Sequence, residues 1–382
     1  MHRRLGSAVG CYLAVAAVGC GSTQNASTGA PQTDGGSADA GPVGGSDGGP
    51  AVNECDRLGA DQNASSIAII APTEACGLAA ISDYSGNVAL SNSSDQLASR
   101  NWATYDRTGS RLGTLHSYAP VIPRGSGFFG VDFWNSADPP TDAFHLWTFA
   151  PDGSGPSQSV GGFLCRATIH GTSAGGVLVI SYCGSGIRSA SRVIWFDDTG
   201  AQRWSTFINA FPPDGATGDS AGNVLVTAAS DAVMGRAGGD LLARWMAPDG
   251  SFADDWFVIV RGNAAPAVLQ SLIGGGVAVM QDGKWTAVVP PLAAAMAPPD
   301  WLASRADRDF RIIRGGKAYA FTFRIVNEPR GSSVEVVAPS GLSCGAFDTN
   351  GYAATVGGDG TVIANIDACT RKVWPGLLGA RQ

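Results

Sequence analysis

A glycine-rich composition, a scarcity of charge and a repeat of roughly 40 to 50 residues predict an all-β fold, namely a β-propeller of about seven blades of short antiparallel strands. The chain has 382 residues, 53 of them Gly and 21 Pro, and only 15% are charged. Gly and Pro are costly inside helices and common in tight turns, which disfavours a helical bundle. Hydrophobic residues make up 44% of the chain, enough for a large core and too many for a disordered polymer.

The first element is an address. Residues 1–19 begin with Arg3 and Arg4, continue through a short apolar run and end in small residues before Cys20, the order of charges and apolar residues found in a signal peptide. The apolar run is shorter than the roughly 20 residues that a membrane-crossing helix needs. Ala17, Val18, Gly19 and Cys20 resemble the lipobox of bacterial lipoproteins. That resemblance implies acylation of Cys20 and a lipid anchor in a bacterial cell membrane, the outer membrane being the expected one, with the folded part in the periplasm or at the cell surface. Residues 20–52 are rich in Gly, Ser, Asp and Pro and hold no aromatic residue, so they read as a flexible tether.

The remaining residues, 53–382, carry the repeat. Strand-like runs open at Gly86, Gly127, Gly176, Gly222, Gly276, Lys317 and Gly360. A second run with a large apolar residue and then a turn follows most of them, as in WATYDRTG, LWTFAPDG, VIWFDDTG, ARWMAPDG and VEVVAPSG. Trp102, Trp147, Trp195 and Trp245 recur at the same point of successive units. Alternating residues such as Val224 with Val226, or Val193 with Trp195, are expected to face a core. One small sheet cannot bury its own faces, whereas radial stacking lets each sheet pack on its neighbours. Seven starts imply about seven blades, with six or eight also compatible. Unit five is irregular, because Pro290 to Arg308 is rich in Ala and Pro and reads as a loop with a short helix.

The stretch from Gly218 to Trp256, GDSAGNVLVTAASDAVMGRAGGDLLARWMAPDGSFADDW, resembles the bacterial SBBP-type β-propeller repeat, and Thr141 to Gly153 is similar to its second half. The resemblance implies a propeller on an exported or surface protein and no particular activity.

With Cys11 inside the signal and Cys20 acylated, Cys55, Cys76, Cys165, Cys183, Cys344 and Cys369 remain. An even number in an exported protein reads as disulfides, and six cysteines allow 15 connectivities. Neighbour pairing is the expectation. The couple Cys165 and Cys183 is its strongest case, since a simple hairpin turning near Ala174 sets the two opposite each other.

Several motifs invite a catalytic reading and do not sustain it. Gly171 to Gly175 fits GxSxG, but VLVISY continues as a strand and no His follows His170, so the elbow and the Ser, acid, His order of a hydrolase are both missing. Gly125, Gly127 and Gly130 fit GxGxxG but lead into a strand rather than a helix. Asp197, Asp198, Asp214, Asp219, Asp249, Asp254 and Asp255 lack the spacing of a calcium loop and read as turn formers. Most of the ten Trp are expected in blade packing, with Trp134, Trp204, Trp256 and Trp301 off the repeating positions and open to a role at a ligand face. His116 and His145 stand alone. No catalytic, cofactor-binding or metal-binding set emerges.

The formal charge is −7, there are only three Lys, at 284, 317 and 372, and no basic run occurs. Nucleic acid is therefore excluded as a partner. The function expected is a non-enzymatic, lipid-anchored binding or scaffold module for a protein or glycan. The alternative is a polysaccharide-acting glycosidase or lyase, which requires a pair of channel-facing carboxylates roughly 5 to 10 Å apart.

Overall fold

The computed structural model describes residues 54–378 apart from 58–63, 73–75, 77–78, 92–99, 119, 134–142, 162–165, 174, 184–189, 211–212, 234–237, 291–293, 307, 314–316 and 326–330. Within them the chain forms seven four-stranded antiparallel sheets, the seven blades of a β-propeller. Blades 1 to 6 are each made in chain order, over residues 79–117, 122–161, 166–208, 215–260, 268–296 and 309–348. The expected strand runs are the second strands of the blades, among them Val88–Ser91, Val177–Cys183, Val224–Ala229 and Val362–Asn365. The Trp-bearing runs are third strands. Blade 5 has an outer strand of only two residues, Ala295–Met296, followed by a one-turn helix, Asp300–Ala303, as the irregular composition there predicted.

Blade 7 departs from that order. Its three inner strands come from residues 353–374, but its outer strand is Ile67–Ile70 from the start of the domain, paired antiparallel with Thr370–Trp374 so that Ile67 faces Val373 and Ile69 faces Arg371. One sheet thus joins the two ends of the chain and closes the ring.

The core is divided among the seven junctions between blades. One apolar cluster fills each: Ala89 and Trp102 with Phe128 between blades 1 and 2, Phe129 with Ile194 between 2 and 3, Ile180 with Val226 between 3 and 4. Leu225 with Val279 fills the junction of blades 4 and 5, Trp285 with Phe310 that of 5 and 6, Val334 with Trp374 that of 6 and 7, and Ile363 with Leu90 that of 7 and 1. Each blade is therefore apolar on both faces. In the second strand of blade 4, Val224 and Val226 pack toward blade 3 while Leu225 packs toward blade 5. This is the packing that radial stacking predicts: between two neighbours a blade has no solvent face, so the central strands are nearly continuous apolar runs.

Turn aspartates add polar stitches between blades. Asp83, in the first turn of blade 1, accepts from the N–H groups of Ser85 and Asn87 and from the Asn87 amide, and its second oxygen accepts from Gly127 N–H of blade 2 at 2.6 Å. Gly127 has φ +102°, and a Cβ there would stand 2.1 Å from Phe149 O, so no other residue fits this approach. Asp219 repeats the arrangement in blade 4, reaching Gly276 N–H of blade 5 at 3.3 Å.

The disulfides overturn the neighbour pairing. Cys55 is bonded to Cys344 and Cys76 to Cys369, across sequence separations of 289 and 293 residues. Spacing along the chain misled because ring closure brings residues from opposite ends together, which outweighs proximity in sequence. Both bonds tie the N-terminal segment to blades 6 and 7. The couple Cys165 and Cys183 falls outside the residues whose side chains are described, as do Cys11, Cys20 and the whole of residues 1–53.

Candidate functional site: the central channel

The first strand of each blade lines the axis, and between them lies a cavity of about 520 Å³. Every blade contributes wall, through residues such as Ile81, Ile122, Ile169, Thr217, Gln270, Ile312 and Thr355. The wall mixes aliphatic side chains and prolines with hydroxyl and amide groups. A concave site of this size at the axis of a rigid frame is where a ligand is most readily enclosed.

Among the described residues, four ionisable groups line the cavity. Asp214 stands just before the first strand of blade 4, Gly215–Gly218; its N–H is bonded to Thr227 O at 2.8 Å, and its Oδ2 is buried without a hydrogen-bond partner. Burial pushes its carboxyl up to about 6, a hydrogen bond from the Ala229 backbone opposes this, and the negative charge of Asp231 adds to it. His170 sits in the first strand of blade 3 with Nε2 at 3.0 Å from Thr168 Oγ1. Burial lowers its pKa to about 4, so it is a neutral imidazole near pH 7. Tyr84 follows Asp83 in the first turn of blade 1, and burial raises its phenol while the charge of Arg311 lowers it. Arg311 lies in the first strand of blade 6, Asp309–Ile313, paired with Ala320 and exposed to the cavity.

Tyr84 of blade 1 and Arg311 of blade 6 both line the cavity, with blade 7 between them. The Tyr84 ring lies over Gly358, where a Cβ would come within 2.1 Å of Cε1, and next to it a Cβ on Gly357 would come within 1.8 Å of Ser82 Oγ. The diglycine is thus the gap through which blade 1 sends an aromatic ring over its neighbour.

The residues singled out from the sequence are distributed as follows. Ser173 lies in the turn after Arg166–Gly171, the end of a hairpin rather than an elbow, and donates to Gly218 O at 3.3 Å. The glycines at 125, 127 and 130 lead into the strand Phe128–Phe133. Asp197, Asp219 and Asp249 are turn formers, each accepting from the N–H two residues on. Asp254 accepts from Trp245 N–H and Asp255 from Trp256 N–H. Asp214 is the exception to the turn reading and belongs to the channel wall. Trp204 and Trp256 are buried between blades 3 and 4, and Trp301 packs between blades 5 and 6; Trp134 lies outside the described residues. His116 Nδ1 is 3.0 Å from Asn101 Oδ1. Among the described residues no group of three His, Cys, Asp or Glu side chains is placed to hold a metal.

Sequence reasoning did not find Tyr84 or Arg311. The available signals were a cation in a first strand whose counterparts in other blades are neutral, and the paired glycines of the last unit.

No family model matches the chain, and no curated protein matches it. Solved structures do. The β-propeller domain of the Trilobed protease from Pyrococcus furiosus is 9% identical, with 82% of this chain and 97% of that chain covered and a TM-score of 0.49. TolB from Acinetobacter baumannii is 14% identical over 74% of this chain and 78% of its own, with a TM-score of 0.35. A quinonprotein alcohol dehydrogenase-like protein from Bacteroides thetaiotaomicron is 11% identical over 78% and 70%, with a TM-score of 0.37. The propeller class rests on the sheet order and the ring of seven clusters, and these likenesses add nothing finer about activity or ligand.

Proposed function

We propose that this protein is a non-enzymatic binding module of the bacterial cell envelope, of the SBBP-type propeller kind, lipid-anchored through Cys20 and recognising a glycan or protein in its central channel. One observation supports the reading: of the described residues lining the channel, Asp214 alone bears a carboxylate. Glycoside hydrolysis by the usual route needs two, one as acid and one as nucleophile or base. Among the described lining residues Asp214 has no such partner, the carboxylate of Asp309, outside that lining, being held by the Gln270 amide at 3.3 Å, while the mixed polar and aliphatic wall suits reversible recognition. The two disulfides fit an oxidising, exported setting.

A glycan array probed with the intact protein, followed by calorimetry, tests the reading. Saturable binding that Thr355→Trp removes by plugging the channel is the expected result. Cleavage of a polysaccharide by the wild-type protein, lost in Asp214→Asn, would establish the enzymatic alternative, which the raised pKa of Asp214 favours. Mass spectrometry of the mature N-terminus is expected to find acylated Cys20, and an unmodified cut beyond it would remove the anchor from the proposal.

A further inference from the structure

We propose, resting on that binding role, that the channel selects ligands bearing a carboxylate, specifically acidic sugars, and that Arg311 with Tyr84 forms the carboxylate-binding subsite. Among the described residues, Arg311 brings the one permanent positive charge to the wall of a cavity in a protein with a formal charge of −7. It makes no ion pair among the described residues, unlike Arg203, which pairs with Asp197, and Arg305 and Arg308, which pair with Glu335. A guanidinium left free inside a concave site presents a planar fork of donors that matches a carboxylate, and it binds one in two parallel hydrogen bonds.

Asp214 does not neutralise this charge. Its charged neighbour is Asp231 rather than Arg311, and its Oδ2 is turned into the protein. Arg311 acts instead on Tyr84. Asp214 belongs to blade 4 and Arg311 to blade 6, with blade 5 between them.

The sugar assignment comes from the surroundings of Arg311. Tyr84, half-buried over Gly358, supplies an aromatic surface, and Gln270, Ser271, Thr217 and Thr355 supply oxygens that accept from ring hydroxyls, the Gln270 amide N–H and the Ser271 hydroxyl hydrogen being given to Asp309 and to Gly218 O. A peptide C-terminus shares the carboxylate chemistry but has no use for so many hydroxyl partners, and it enters as an outcome of the test.

Calorimetry with oligogalacturonate, its methyl ester, the neutral galactose oligomer and short peptides with free C-termini separates these cases. The acidic oligomer is expected to bind about 10- to 100-fold more tightly than its ester, the range of one charge-assisted hydrogen-bonded contact. Arg311→Gln should abolish that ratio, and Gly358→Ala, which displaces the Tyr84 ring, should reduce it. Thermal melts establish that each variant is folded, and the ester comparison on the wild-type protein needs no variant. Equal affinity for acid and ester, or a ratio that survives Arg311→Gln, overturns the subsite while leaving channel binding intact. Preference for free-C-terminal peptides over the oligogalacturonate overturns the sugar assignment. Binding of neutral oligomer that Thr355→Trp does not touch overturns the channel reading itself.

Discussion

Blade 4 and blade 7 are the same four-stranded sheet made in two ways. Blade 4 is continuous in sequence, contains no cysteine and is held by apolar clusters on both faces and by the Asp219 stitch to blade 5. Blade 7 is assembled from both ends of the domain, and Cys76–Cys369 crosses it directly while Cys55–Cys344 ties the same N-terminal segment to blade 6. Arg371, fully buried in blade 7, donates to the carbonyls of Asp367, Ala368 and Thr370 and so braces the turn that carries Cys369. The difference teaches where covalent bonds are needed. A blade made from neighbouring residues closes small loops, and packing suffices. A blade that recruits a strand from almost the whole chain away must offset a larger loss of chain entropy.

Removing both disulfides, by Cys55→Ala, Cys76→Ala, Cys344→Ala and Cys369→Ala together, is the strongest way to break this comparison. On the chain-entropy model either bond removed alone costs about 4 kcal/mol, because the other still holds the long loop and only a ring of about 45 residues opens. Losing both costs about 10 kcal/mol, more than twice the single effect, because the second loss frees the whole circuit of blades. Amide exchange should then show Ile67–Ile70 exposed while Val224–Ala229 of blade 4 stays protected. Simultaneous loss of protection in both would mean that the ring is a single cooperative unit and that the two blades are not held differently.

Trp245→Ala sharpens the other side. Trp245 is 1% exposed in the cluster between blades 4 and 5, and its truncation should destabilise by about 3 to 5 kcal/mol. Denaturant melts with and without reductant should give the same increment, since neither Cys55–Cys344 nor Cys76–Cys369 touches that junction. Smaller again is Asp219→Ala, which leaves the N–H of Gly276 without its acceptor and should lower stability by about 1 to 3 kcal/mol. A loss near zero would reassign Asp219 to its own turn alone.

The remaining effects are those of pH. The folded pKa of Asp214 is raised to about 6 from 3.8, so the fold favours its protonated form. That contribution is present below the unfolded pKa and is lost as pH rises through about 6. Asp214→Asn should therefore gain stability over the wild type progressively between pH 4 and 7, read as a growing difference in Tm. His170 runs the opposite way: its folded pKa is lowered to about 4 from 6.5, so its contribution is present above 6.5 and declines as pH falls toward 4. Both groups belong to continuous blades, so these differences should persist when the disulfides are reduced.

Much of the fold was legible in the residues. The second strands of all seven blades announce themselves as apolar runs opened by turn residues, and the Trp positions mark the third strands, because strand patterning and turn chemistry are local. Of the candidate site, His170, Ser173 and Asp214 were visible in the sequence, but only as parts of a hairpin turn or as a turn former, because nothing local shows that they share the channel. Tyr84 and Arg311 are separated by more than 200 residues, and no local pattern connects them.

The amino-acid sequence by itself determined the repeating sheet, its turns and the approximate number of copies, because each is set by interactions among residues close along the chain. Tertiary structure decided which segment completes the last blade, which cysteines meet and which side chains share the axis. These depend on the ring closing upon itself, and closure joins residues whose separation in sequence carries no trace of their nearness in space.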